Sequence, residues 1–161
     1  MRHLIKHPKF WAGVLLIVII GVFLYSLTLI PIDKYYPLSP DEQFVRLYVN
    51  DSVVYASVVQ TPKERERGLS GRTGLSTQGG MLFIFPEDGK HSIWMKSMSF
   101  PIDIIWLNKD FRVVDSAEKV TPETYPASFA SRWPARFVLE VPPGFIDSHY
   151  IVIGTEFRLA Q

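Results

Sequence analysis

Three charged side chains interrupt runs of residues that are otherwise apolar. Lys96 follows Ile93-Trp94-Met95, Asp103 lies inside Ile102–Leu107, and Glu140 lies inside Arg136–Val141. Side chains along a strand alternate between its faces. On that rule Trp94 and Lys96 share a face, Asp103 shares one with Ile105 and Leu107, and Glu140 shares one with Arg136 and Val138. If Lys96, Asp103 and Glu140 converge beside Trp94, they form a buried ion network or the floor of a ligand cleft. The competing arrangement leaves them apart on a solvated sheet face. Trp94, Lys96, Asp103 and Glu140 are the candidate ligand-binding residues, and on the convergent reading they could also serve an anchored hydrolase.

Other chemistries find less support. Lys96 beside Ser97 and Ser99 suggests a serine–lysine dyad, but neighbours on a strand face opposite ways, so Lys96 is badly placed to activate Ser97. The chain has no G-x-S-x-G, H-E-x-x-H or G-K-[ST] pattern, and Gly68-Leu69-Ser70-Gly71 lacks the nucleophile-elbow spacing. Cysteine is absent, which removes disulfides, thiolate metal sites and cysteine nucleophiles together. A Cu(I)-handling site is the remaining option, since His91, Met95 and Met98 lie close together with Met81 as a further sulfur, and thioether and imidazole suit that ion. Regular alternation sets His91 and Met95 on one face and Met98 on the other, so the two sulfurs diverge unless a bulge intervenes. The methionines then read as core filling, and no metal or cofactor is expected.

These residues need a scaffold of short strands. Phe44–Val49 and Val53–Val59 are β-branched and aromatic runs separated by Asn50-Asp51, a hairpin signal. Thr61-Pro62-Lys63-Glu64 is a capping box, which predicts a short helix over Lys63–Leu69 stopped by Gly68 or Gly71. Gly71–Gly80 contains four glycines and reads as a loop. Strands are predicted at Met81–Phe85, Ser92–Ser97, Ile102–Leu107, Phe111–Ala117, Arg136–Val141 and Thr155–Leu159, with Thr121–Pro134 as a long connection. The fold class is mainly β: a small closed or half-open barrel or sandwich with one short helix.

Ahead of this domain (43–161) the chain changes character. No charged residue occurs from Phe10 to Ile30, a run whose helical length is roughly 30 Å, the thickness of a bilayer's hydrocarbon core. Arg2, Lys6 and Lys9 precede it, and no Asp or Glu occurs before Asp33. This asymmetry predicts a cytoplasmic tail (1–9), an uncleaved transmembrane anchor (10–30), a proline-marked linker (31–42) and a domain on the outer, periplasmic side of the inner membrane. With those three cations set aside, 14 of the 17 Lys+Arg stand against all 16 Asp+Glu. A near-neutral domain of that kind attracts nucleic acid poorly.

Thr61-Pro62 with Glu64, Arg67-Gly68-Leu69, Gly80-Met81-Leu82-Phe83, Trp94-Met95-Lys96, Pro101-Ile102-Asp103, and Leu139-Glu140-Val141 with Gly144 carry a resemblance. In order and spacing they are similar to the bacterial and archaeal "domain of unknown function 192" family over residues 53–159. The resemblance implies a compact, mainly β domain, often exported or membrane-anchored, and no agreed activity. Ser70 departs from it, standing where the family pattern has methionine. The expectation is a non-enzymatic extracytoplasmic binding or assembly module, in contact with membrane lipid through its helix and open to a protein partner at the membrane.

Overall fold

The computed structural model describes residues 43–160; the expected tail, anchor and linker lie outside them. Among the described residues no helix is long and apolar enough to cross a membrane. Strands β1 (Phe44–Val49) and β2 (Ser52–Val59) form the hairpin that Asn50-Asp51 signals, with Asn50 at a φ of 47° in the turn. Helix α1 (Pro62–Arg67) begins at the expected capping box. Thr61 Oγ1 accepts from the Glu64 amide at 3.2 Å, and the Glu64 carboxylate accepts from the Thr61 amide at 2.9 Å. The backbone amides of Thr61 and Gln60 hold the Glu64 carboxyl below its ordinary range. Gly68, at a positive φ of 49°, ends the helix.

The chain then crosses over to β3 (Gly79–Gly89), which runs parallel to β2. A parallel neighbour needs such a long connection, here carrying α1. Gly80 leaves no room for a side chain: a Cβ there would sit 2.9 Å from both the Glu140 carbonyl and Val54 Cγ1. The remaining strands are β4 (Ser92–Trp94), β5 (Ile102–Leu107), β6 (Val113–Val120), β7 (Ser128–Ala130), β8 (Ala135–Val141) and β9 (Arg158–Leu159). A second short helix, α2 (Phe145–Ser148), was not anticipated.

Seven strands form one sheet in the order β6-β5-β8-β3-β2-β1-β9, and β4 pairs with β7 in a separate ribbon. The sheet does not close into a barrel. The segment just ahead of β9 nevertheless bonds to the β6 edge, through Gly154 N–H to the Val113 carbonyl, Val113 N–H to the Thr155 carbonyl and an Arg112–Glu156 bridge. β9 itself pairs with β1.

Strand β5 is buried along its whole length because both sheet faces carry apolar cover. On one face Ile105 and Leu107 join Leu47, Leu139 and Val141 with Phe145 and Ile146 of α2. On the other Ile102, Ile104 and Trp106 join Met81, Phe83, Met95 and Val138. Asp115 of β6 pins the long connection back to the sheet. Its buried carboxylate accepts from Arg132 Nη2 at 2.8 Å and the Arg132 amide at 2.7 Å, and the Arg132 side chain holds it below the ordinary carboxylate range.

Candidate functional site

A shallow cleft opens between α1 with its following turn on one side and the segment 92–98 on the other, its outer part open to solvent. Arg65, Glu66 and Arg67 stand on one rim, Trp94 and Met98 on the other, and Phe83, Ile102 and Glu140 line it from the sheet. Strand register explains why Glu140 faces this side. It is paired with Met81 of β3 and Ile104 of β5, and residues paired across strands share a face. Its carboxyl is buried, and Oε2 has no hydrogen-bond partner among the described residues. Burial pushes the carboxyl up to about 8, with the positive charge of Arg72 acting the other way. At neutral pH Glu140 is therefore mostly a neutral acid.

The same register separates the other expected members. Asp103 is paired with Val141, one residue along from the Ile104–Glu140 pair, so it faces the opposite side of the sheet. There its two oxygens accept from the Lys119 amide at 2.7 Å and the Ile146 amide at 2.9 Å. It clamps an irregular stretch of β6, where Lys119 has a φ of 50°, to the start of α2. Lys96 is exposed, with its ammonium 5.1 Å from the centre of the Trp94 ring, and it makes no ion pair with either carboxylate. Of the proposed convergence of Lys96, Asp103 and Glu140 beside Trp94, only Trp94 and Glu140 line one cleft.

Strand β4 stops at Trp94 rather than continuing to Ser97. The Met98 amide donates to the Met95 carbonyl at 3.2 Å and Ser97 has a φ of 56°, so residues 95–98 form a turn. The turn is held against the loop after α1: Ser70 Oγ donates to the Lys96 carbonyl at 2.8 Å and the Gly71 amide to the Ser97 carbonyl at 3.2 Å. Because alternation ends there, Met95 and Met98 both line the cleft instead of facing apart. His91 does not join them. Its ring stacks on Phe85 at 3.6 Å, and Nε2 lies 3.0 Å from the Glu87 carbonyl.

The model of the DUF192 family, described as "Uncharacterized ACR", matches residues 45–159. The chain belongs to this family. No curated protein matches it. Among solved structures, the domain is similar to a protein of Sinorhizobium meliloti 1021 described provisionally as a transcription regulator. The two share 26% identity with a TM-score of 0.68, over 76% of this chain and 96% of that one. It is also similar to a protein of unknown function from Novosphingobium aromaticivorans DSM 12444, with 24% identity and a TM-score of 0.67, over 75% of this chain and 90% of that one.

In this DUF192 domain the segments that carry the resemblance sort by face. Arg67-Gly68-Leu69, Phe83, Trp94-Met95 and Glu140 line the cleft, while Asp103 braces the far side. Reading the sequence missed Leu69, Phe83 and the α1 rim as cleft residues. The capping box located α1, but the crossover that lays it beside β4 leaves no local signal.

Proposed function

We propose that this DUF192 protein is a membrane-anchored, extracytoplasmic binding module without enzymatic activity, whose ligand occupies the cleft over Glu140. One observation carries the reading: Oε2 of Glu140 is buried at a cleft with no hydrogen-bond partner among the described residues. Buried polar atoms are nearly always paired, because an unmade hydrogen bond costs about 1–3 kcal/mol. A group that serves only the fold has little reason to remain in that state, whereas a ligand that engages the oxygen recovers the cost on binding. The hydrolase alternative loses its support, since Asp103 lies on the other face and both its oxygens are engaged.

Anchoring is supported by the uncharged run Phe10–Ile30 and the cations before it. Exposed Tyr150, Val152 and Ile153 support a protein partner at the membrane. The transcription-regulator description of the S. meliloti protein gains no support here from charge, since residues 43–161 carry as many acidic as basic side chains. The sheet, with its edges linked through residues 154–159, is taken as a half-open barrel.

Two measurements test the proposal. A reporter active only outside the cytoplasm, fused after Gln161 through a flexible linker, should be active; activity only of a cytoplasmic reporter would reverse the orientation. Small molecules from a cell-envelope extract should shift the methyl resonances of Met95 and Met98 in the detergent-solubilised chain. Glu140→Leu should abolish those shifts and raise Tm, because it removes an unpaired buried acid. Shifts that persist in Glu140→Leu would dismiss Glu140 as the ligand contact.

A further inference from the structure

The cleft gathers sulfur as well as the unpartnered oxygen. Met81 lies directly across from Glu140 in the β3–β8 register, on the same face. The turn at 95–98 brings Met95 and Met98 into the cleft that Glu140 lines, and Ser99 Oγ, donating to the Arg72 carbonyl at 3.1 Å, fixes it further. All three methionines belong to one apolar cluster, Met81 and Met95 fully buried and Met98 half-buried toward the opening. We infer that this cleft is a binding site for a soft monovalent metal ion of the Cu(I)/Ag(I) kind, with the Met95 and Met98 sulfurs and the Glu140 carboxylate as ligands and Met81 behind them. The inference rests on the cleft being a ligand site and names the class of ligand.

The donor set decides between ion classes. Hard cations such as Ca²⁺ and Mg²⁺ take six or more oxygens, and here a single buried carboxyl faces thioethers. Among the described residues no three His, Cys, Asp or Glu side chains gather as a borderline ion would require. Thioethers select Cu(I) and its congeners. A single positive charge also suits the surroundings: the ion takes the place of the Glu140 proton, which is released to solvent, so the apolar cavity gains no net charge. Of the charged groups near Glu140, Arg65, Glu66 and Arg67 stand on the α1 rim and Arg72 follows in the loop, while Lys96 packs over Trp94. Arg65 is already engaged by the Gln60 and Ile84 carbonyls and the Phe85 ring.

Silver nitrate is the probe, because Ag(I) shares the charge and softness of Cu(I) without its redox chemistry. It is titrated into the full chain in detergent and chloride-free buffer, followed by calorimetry and by methionine methyl resonances. One equivalent should bind and shift Met95 and Met98. Met95→Leu and Met98→Leu preserve volume and apolarity. Loss of an outer-shell partner already costs about 10–100-fold in metal affinity, so each substitution should cost at least tenfold. Met98→Leu is the safer variant for folding, because Met98 is half-buried. No uptake by the unaltered chain, or uptake unchanged in both variants, overturns the inference. If silver fails while envelope small molecules still shift Met95 and Met98, the metal is wrong and the cleft reading stands; if neither acts, both fall.

Discussion

Replacing Glu140 with glutamine should change how the stability of the ligand-free chain depends on pH. Burial moves the folded-state carboxyl from 4.5 to about 8. Below pH 4.5 the acid is protonated in both folded and unfolded chains and contributes no pH dependence. Between pH 4.5 and about 8 the unfolded chain releases the proton while the folded one keeps it, so stability falls as pH rises. Each tenfold difference in proton affinity between the two states is worth about 1.4 kcal/mol, which gives a total loss of about 5 kcal/mol, with about 3 kcal/mol already incurred at pH 7. Glutamine does not titrate. Urea unfolding of the detergent-solubilised chain, followed by tryptophan fluorescence at half-unit steps from pH 5 to 8.5, should show the unaltered protein falling relative to Glu140→Gln by about 1.4 kcal/mol per pH unit, then levelling off. Parallel curves across that range would mean that Glu140 ionises at an ordinary pH and that its burial has been misjudged.

Asp103 and Lys96 should behave very differently when altered. Asp103→Ala strands the buried Ile146 amide, at about 1–3 kcal/mol, and loosens the part-buried Lys119 amide, whereas Lys96→Met changes stability by about 0.5 kcal/mol or less; equal losses in urea unfolding would restore the idea that the two are ion partners. Thr61→Ala removes the cap of α1 and should cost about 0.5–2 kcal/mol by the same assay, while no loss would mean the reciprocal capping bonds contribute nothing in solution.

Local signals were legible where a residue pattern acts on its own neighbours. Phe44–Val49 and Ile102–Leu107 form strands with the bounds read from the sequence, and Thr61–Glu64 caps its helix in both directions. The site was harder for two separate reasons. The turn at Met95–Met98 contains no glycine, proline or asparagine, and a serine takes the left-handed position, so nothing local announced the end of alternation. The second reason is register. Faces within β5 and β8 were read correctly, but which face of one strand matches which face of the other depends on pairing, and a slip of one residue exchanges them. The observed pairing of Ile104 with Glu140 sets Asp103 and Glu140 back to back. α2 has only four residues, too few for a helical period to show.

The hydrogen bonds of residues 154–160 also bear on self-association. These residues occupy backbone groups on β6, one outer strand of the sheet, through Val113, and on β1, which β9 covers at the other side, through Arg46 and Leu47. Uncovered strand edges recruit other edges, which is how folded β domains come to swap segments or aggregate. Deleting residues 154–161 would therefore expose two separate templates on one molecule. A chain with two sticky edges can join at both sides, so the shortened protein should grow into open-ended assemblies rather than stop at a dimer.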